Sequence, residues 1–297
     1  DRLWCACVKT KNYHVNLQVM QQAIQFIRSN LSASYSTLEL QSVSRLLISK
    51  VSGYSFTEII VNKNTTFSEE QRKILRNYVE KLKSGLPIQY VLGETEFCGL
   101  NFMVNDAVLI PRPETEELVQ WMLEEIEHDS LVLDIGTGSG CIAIALKHFL
   151  PGADVYACDI DEDSLGVAAN NAENLGLKIS FFQCDILKTE KSDRKYHVIV
   201  SNPPYIPCSE RKDVMSRVKD FEPERALFVK DSDPLIFYRK IAQFAQLNLF
   251  PGGNLFFEVH RDFGKACVQL LEDMSYAEVQ LKKDIFGNER MVKAVKK

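Results

Sequence analysis

The chain has 297 residues, 45% of them hydrophobic and 25% charged, with a formal net charge of −5. That is enough for one large domain and one small one, and the mildly acidic balance argues against a protein built chiefly to neutralise a phosphate backbone. No apolar run approaches the roughly 18 residues that span a bilayer, and the eight cysteines form no metal-type pairs, which reads as reduced thiols in a cytoplasmic protein.

No signal-like segment opens the chain, and a first residue of Asp1 rather than Met fits a trimmed start. Only Cys5 and Cys7 lie close together in sequence. From about Leu17 to Leu86 Gly and Pro are scarce and apolar residues recur at helical spacing. Val19, Ala23, Phe26 and Ile27 form one stripe, and Leu40, Val43, Leu46, Leu47 and Val51 a second. Ser68, followed by Glu69 and Gln71, opens a third helix through Ile74, Leu75, Tyr78, Val79 and Leu82. Residues 1–85 read as a small helical domain, either a scaffold or a partner-binding module, with Lys81 and Lys83 on a solvated face.

Between Gly85 and Pro113 the pattern turns to short extended pieces: Pro87 to Gly93, Thr95 to Leu100, and Asn101 to Val104. Gly93, Gly99 and Asn105-Asp106 punctuate them, so 86–110 reads as a β-hairpin linker. Thr115 or a neighbour then caps a helix through Leu118, Val119, Met122 and Leu123. Glu114, Glu116 and Glu117 sit at its positive end, where the helix dipole favours them.

Leu131-Val132-Leu133-Asp134-Ile135 is a buried-strand run. Gly136-Thr137-Gly138-Ser139-Gly140 follows, and then an apolar helix through Ile142 and Leu146. The glycines let a ligand approach the backbone closely. Cys141 stands where a dinucleotide fingerprint needs its third Gly, and no Gly-Lys-Ser/Thr follows, so neither a nicotinamide site nor a P-loop is indicated. A second strand, Asp154 to Cys158, ends at Asp159, where an acid of this architecture grips ribose hydroxyls. A third, Ile179 to Cys184, ends at Asp185, an acceptor for an adenine amino group. Asp161 and Asp163 read as the start of the next helix. Three successive strand ends thus describe a nucleoside site.

Val198, Ile199 and Val200 form a fourth strand, which Pro203 and Pro204 forbid from continuing. Asn202-Pro203-Pro204-Tyr205 is therefore a stiff loop at a strand's C-terminal end, the side of an open α/β sheet where ligands bind. The Asn202 side-chain oxygen and the Pro203 carbonyl are two neutral acceptors. They suit the two N–H bonds of a planar amine or amide, with the Tyr205 ring stacked on its plane. Beyond this loop the reading is a helix from Leu235 to Leu247, a turn at Pro251-Gly252-Gly253, and a strand from Asn254 to Val259. A helix from about Phe263 to Met274 and a final antiparallel pair, Ala277 to Lys282 and Arg290 to Val295, close the chain. His260 reads as a solvent-facing loop residue and Arg290 as a surface charge beside a turn.

The glycine loop, the ribose Asp and the Asn-Pro-Pro-Tyr loop together resemble the class I S-adenosylmethionine-dependent methyltransferases that act on planar nitrogens. With Ile88-Gln89-Tyr90, Ile110-Pro111-Arg112-Pro113-Glu114-Thr115-Glu116 and Ser201 to Ile206, the resemblance narrows to one family. That family is the peptide chain release factor glutamine methyltransferases, the HemK/PrmC family. The resemblance implies a seven-stranded Rossmann-like sheet in residues 111–297, preceded by the small helical domain and the hairpin linker. It implies S-adenosyl-L-methionine as cofactor, S-adenosyl-L-homocysteine as product, and the Gln of a release factor's Gly-Gly-Gln motif as substrate, with no metal, nucleic acid or membrane involved. Gly136, Thr137, Gly138, Ser139 and Gly140 would then lie against the methionine part, Asp159 on the ribose, and Asp185 with Ile186 beside the adenine. Asn202 and Pro203 would bind the Gln amide, with Pro204 and Tyr205 shaping its pocket. A nucleic-acid adenine amino methyltransferase shares the Asn-Pro-Pro-Tyr chemistry and is the alternative, although it needs a basic groove and a flipped base. A non-enzymatic cofactor-binding module is a third reading, which the intact Asn202 disfavours.

Overall fold

The computed structural model describes residues 20–62 and 64–297. Cys5, Cys7, Leu17 and Val19 lie outside the described residues. Two compact units are present, divided between Leu92 and Gly93.

The first unit is helical: α1 (Met20–Leu31), α2 (Thr37–Ser52), α3 (Phe56–Val61), α4 (Glu69–Lys83) and α5 (Ile88–Leu92). Three of these helices start on the same local device. Ser36, Ser55 and Ser68 each accept from the backbone N–H three residues on, while Glu39, Glu58 and Gln71 reach back to the cap residue. Each box satisfies two N–H groups that the first helical turn leaves without partners. Gln71 also donates from Nε2 to the Val51 carbonyl at 3.0 Å, joining α4 to the end of α2. Ala23, Ile27, Leu40, Val43, Leu47, Leu75, Val79 and Leu82 build the core, as their spacing predicts. Leu46 and Ile74 belong to the same stripes but are exposed. The segment Pro87 to Gly93 is not extended. Ile88–Leu92 forms one helical turn whose Val91 N–H donates to the Pro87 carbonyl, and Val91 packs into the helical core.

The second unit opens with a hairpin, β1 (Glu94–Phe97) and β2 (Leu100–Met103), paired so that Phe97 faces Leu100. The two turn residues, Cys98 and Gly99, both have positive φ, at 50° and 74°, the tight turn that matches strand twist. Phe97 and Phe102 pack edge-to-face and join the core of this unit, so the hairpin is anchored within it.

There follow α6 (Pro113–Glu125), β3 (Leu131–Ile135), α7 (Cys141–Phe149), β4 (Asp154–Asp159), α8 (Glu162–Asn174), β5 (Ser180–Gln183) and β6 (Tyr196–Ser201). The remainder is β7 (Ile206–Pro207), α9 (Ser216–Lys219), α10 (Glu224–Leu227), β8 (Phe228–Val229), α11 (Ile236–Asn248), β9 (Leu249–Glu258), α12 (Gly264–Asp273), β10 (Ala277–Lys283) and β11 (Glu289–Val295). The main sheet has seven strands in the order β10-β11-β9-β6-β3-β4-β5. Of its ladders, only the two made by β11 are antiparallel. This is the expected class I methyltransferase arrangement, with the antiparallel pair at one edge.

Alternation along the strands explains the unbroken apolar runs. Val132, Val198, Val200 and Phe256 join Trp121, Met122, Ala143 and Leu146 in one core cluster. Leu133, Ile199, Leu255 and Phe257 join Tyr238, Ile241, Phe244 and Leu271 in a second. Both faces of the central strands are buried, so successive residues are mostly apolar. Among the strand limits of the main sheet, β5 is shorter than expected, and β9 begins at Leu249, incorporating Pro251-Gly252-Gly253 with a register shift opposite β6.

Candidate active site

The parallel strands end along one rim, and the loops leaving that rim enclose a cavity of about 340 Å³. After β3 the chain turns on glycine. Gly136 and Thr137 donate their N–H groups to the Cys158 carbonyl of β4 at 2.8 and 3.0 Å, fixing the turn to the neighbouring strand end. Gly138, at φ +54°, donates to Asp159 Oδ2 at 2.9 Å. Gly140 caps α7 at φ +83°, and a Cβ there would stand 2.9 Å from Ile144 Cδ1. Glycine is thus required by conformation and by the tight seat of α7 against α8.

Asp159 closes this arrangement, its other oxygen accepting from the Asp161 N–H at 3.1 Å. Burial raises its carboxyl above the usual range, against the pull of the Gly138 bond. Asp185 is held low by its hydrogen-bonded pairing with Lys188 at 2.8 Å. Asp161 is the N-cap of α8, as expected, and also pairs with Arg225 at 2.6 Å. Gly136, Thr137, Gly138, Ser139, Asp159, Asp185, Ile186, Asn202, Pro203 and Pro204 all line the one cavity. Gly140 and Tyr205 do not. Gly140 is packed behind the loop, and Tyr205 turns its hydroxyl toward Glu258 at 3.1 Å, with its ring edge-on to His260. The expectation of a Tyr205 ring stacked on a ligand therefore gives way to a ring that braces the loop from behind.

The wall beside Asn202 contains residues whose roles the local sequence does not show. Thr115 is not a helix cap. It lies inside α6, buried, and its hydroxyl donates to Glu258 Oε2 at 2.6 Å. The same Oγ1 accepts from Asn202 Nδ2 at 3.2 Å. Glu258, at the end of β9, is almost wholly buried, and burial raises its carboxyl although Thr115, Arg290 and Tyr205 all favour its charged form. Arg290 is no surface charge: it is largely enclosed, with Nε 3.3 Å from Asp284 Oδ2 and Nη1 donating to the Val259 carbonyl. Across the cavity mouth, Arg112 donates to the buried Glu222 at 2.6 Å and the Ile110 N–H donates to its second oxygen at 3.1 Å. That pair fastens the Pro-rich strap before α6 to the chain after α9.

Of the helix-start acids, Glu116 accepts from the Cys98 N–H and Glu117 from the Ile285 N–H, so they tie α6 to two turns as well as answering its dipole. His260 is buried, not solvent-facing. Its Nε2 lies 3.2 Å from Glu210, its Nδ1 accepts from the Asp262 N–H, and burial lowers its basicity. It borders no part of the cavity. The cysteines among the described residues form no disulfide, and no helix among them is long and apolar enough to cross a membrane.

Two family models match the chain: a methyltransferase small domain over residues 113–219 and a PrmC N-terminal domain over residues 22–93. Among solved structures, a methyltransferase from Pyrococcus furiosus aligns with a TM-score of 0.52 at 18% identity, over 77% of this chain and 99% of that one. A Thermus thermophilus 16S rRNA N2 G1207 methyltransferase, solved with AdoMet and guanosine, aligns with a TM-score of 0.51 at 19% identity, over 69% of this chain and 50% of its own. These likenesses concern the fold. Sequence relatives go further. The release factor glutamine methyltransferase of Flavobacterium psychrophilum is 41% identical over 91% of this chain and 96% of its own length. That of Bacteroides thetaiotaomicron is 41% identical over 93% and 99%, and that of Bacillus subtilis 37% over 86% and 91%. With such identity along nearly its whole length, the chain belongs to the family of release factor glutamine methyltransferases.

Proposed function

We propose that this protein transfers a methyl group from S-adenosylmethionine to the side-chain amide nitrogen of the Gln in a release factor's Gly-Gly-Gln motif, and that the cavity at the strand ends is where the two meet. The residues present suit the cofactor. The glycine turn lets a polar tail approach the backbone closely, Asp159 and Asp185 offer acceptors to a nucleoside, and Ile160, Ile186 and Leu187 supply apolar wall for a flat base. When bound, the cofactor supplies a methyl carbon made electrophilic by its sulfonium.

The chain's own task is to prepare the nitrogen. An amide nitrogen is a poor nucleophile because its lone pair is delocalised into the carbonyl. Acceptance of its two N–H bonds by Asn202 Oδ1 and the Pro203 carbonyl raises its electron density and aims it at the methyl carbon. Fixing two reactants in this way supplies about 7 to 11 kcal/mol in well-oriented systems, so positioning carries much of the rate. The cysteines among the described residues are free thiols, which fits a reducing cytoplasm where release factors act as the protein partner.

The observation that carries this reading is the meeting of Asn202 and Pro203 with the glycine turn and Asp159 in one cavity. Methyl-labelled S-adenosylmethionine, incubated with the protein and either a purified release factor or DNA, tests it. Label on the release factor, mapped by mass spectrometry to the Gly-Gly-Gln glutamine, is the expected result. Label on DNA alone would overturn it.

A further inference from the structure

An Asn carboxamide has two orientations of nearly equal shape, one presenting oxygen to a ligand and the other NH2. Only the first can accept from a substrate amide. The second sets donor against donor. Something must choose between them, and the wall behind Asn202 holds the means.

The Thr115 hydroxyl has a single proton, donated to Glu258 Oε2 at 2.6 Å, a short bond to a carboxyl oxygen. Toward Asn202 that hydroxyl can then only accept, and the group it accepts from is Nδ2, at 3.2 Å. The amide oxygen is left for the cavity. Glu258's other oxygen accepts from the Tyr205 hydroxyl at 3.1 Å, holding the far end of the same loop. One buried carboxylate, 1% exposed and outside the cavity, thus receives a proton from each side of the Asn-Pro-Pro-Tyr segment.

We propose that Glu258, acting through Thr115, is a positioning residue that sets the orientation of the Asn202 carboxamide. This rests on the reading of Asn202 as an acceptor for the substrate amide. A glutamine at 258 keeps the shape but has one acceptor oxygen and an NH2 that must donate. Thr115 or Tyr205 must then reverse. Where Thr115 accepts from that NH2, its proton turns to Asn202 Oδ1 and the carboxamide rotates, presenting NH2 to the cavity.

The test compares Thr115→Val, Thr115→Ser and Glu258→Gln for methyl transfer to a release factor, with S-adenosylhomocysteine affinity by calorimetry and the melting transition as controls. The expected result is a kcat about 30-fold or more below wild type for Thr115→Val, and for Glu258→Gln where its Asn202 NH2 exchanges fast, with release factor KM and nucleoside affinity within about threefold. Thr115→Ser, which keeps the hydroxyl, should stay within about threefold of wild-type kcat. A second readout needs no turnover. The Asn202 side-chain NH2 signal in nitrogen-15 NMR, assigned by its loss in Asn202→Ala, should exchange slowly with water in wild type and Thr115→Ser and faster in Thr115→Val. Wild-type kcat in folded Thr115→Val, equal damage in Thr115→Ser, exchange indifferent to residue 115, or a folded Glu258→Gln whose Asn202 NH2 exchanges fast yet turns over like wild type would each overturn the proposal. A wild-type protein that leaves release factors unmethylated would sink the functional reading, while the NMR comparison still decides the relay.

Discussion

At the scale of single residues, the site divides into groups that touch the cavity and groups that hold them. Asn202→Ala removes a side chain from a loop already stiffened by two prolines, so the fold and nucleoside affinity should survive while methyl transfer falls more than about a hundredfold. Label-transfer rates beside calorimetric affinities check this split. Asp134 gives a different test. Fully enclosed in β3, it accepts from the Thr137 hydroxyl at 2.6 Å, and burial pushes its carboxyl from 3.8 up to about 7. Between those values the folded protein holds a proton that the unfolded chain has released. The group therefore costs nothing below about pH 3.8, weakens the fold as pH rises to about 7, and adds no further slope above it. Urea unfolding at pH 5 and pH 8 should show a loss for wild type that is smaller in Asp134→Asn. The residues legible from sequence, Gly136, Asp159 and Asn202, each sit in a local signal, a turn or strand end with a defined chemistry. Thr115 signalled only a helix start and Glu258 nothing, because they meet across 143 positions and Thr115 reaches Asn202 across 87. Only the folded sheet brings those strand and helix ends together.

At the scale of elements, period and punctuation located the long pieces and missed the short ones. Ser68 was readable as the start of α4 because the capping box lies within four residues. Ser68→Ala should cost about 1 kcal/mol of stability by urea denaturation, and an unchanged midpoint would show that the cap contributes nothing. The segment 88–92 misled because one helical turn carries too little periodicity to tell from a strand, and its apolar residues serve either pattern. His260 and Arg290 were read as surface residues for a related cause. Polarity suggests exposure, but both are enclosed by partners outside their own short segment, Glu210 for one and Asp284 with the Val259 carbonyl for the other. The buried runs of β3, β6 and β9 were legible because strands covered on both faces carry no polar alternation.

At the scale of the whole molecule, the two units have separate cores, and every residue lining the cavity lies between Ala107 and Ile241. A protein trimmed to residues 93–297 should therefore bind S-adenosylhomocysteine within about threefold of the full chain, since no lining residue is lost. Calorimetry on the two forms checks it, and loss of binding would mean that the helical unit supports the cavity. The proposed reaction turns on how a flat amide is held. A crystal structure with S-adenosylhomocysteine and a Gly-Gly-Gln peptide measures that directly. The expected result is the glutamine nitrogen at about 3 Å from both Asn202 Oδ1 and the Pro203 carbonyl oxygen, on the sulfur side of the nucleoside. A glutamine bound elsewhere, or Asn202 turned with its NH2 toward the ligand, would contradict it.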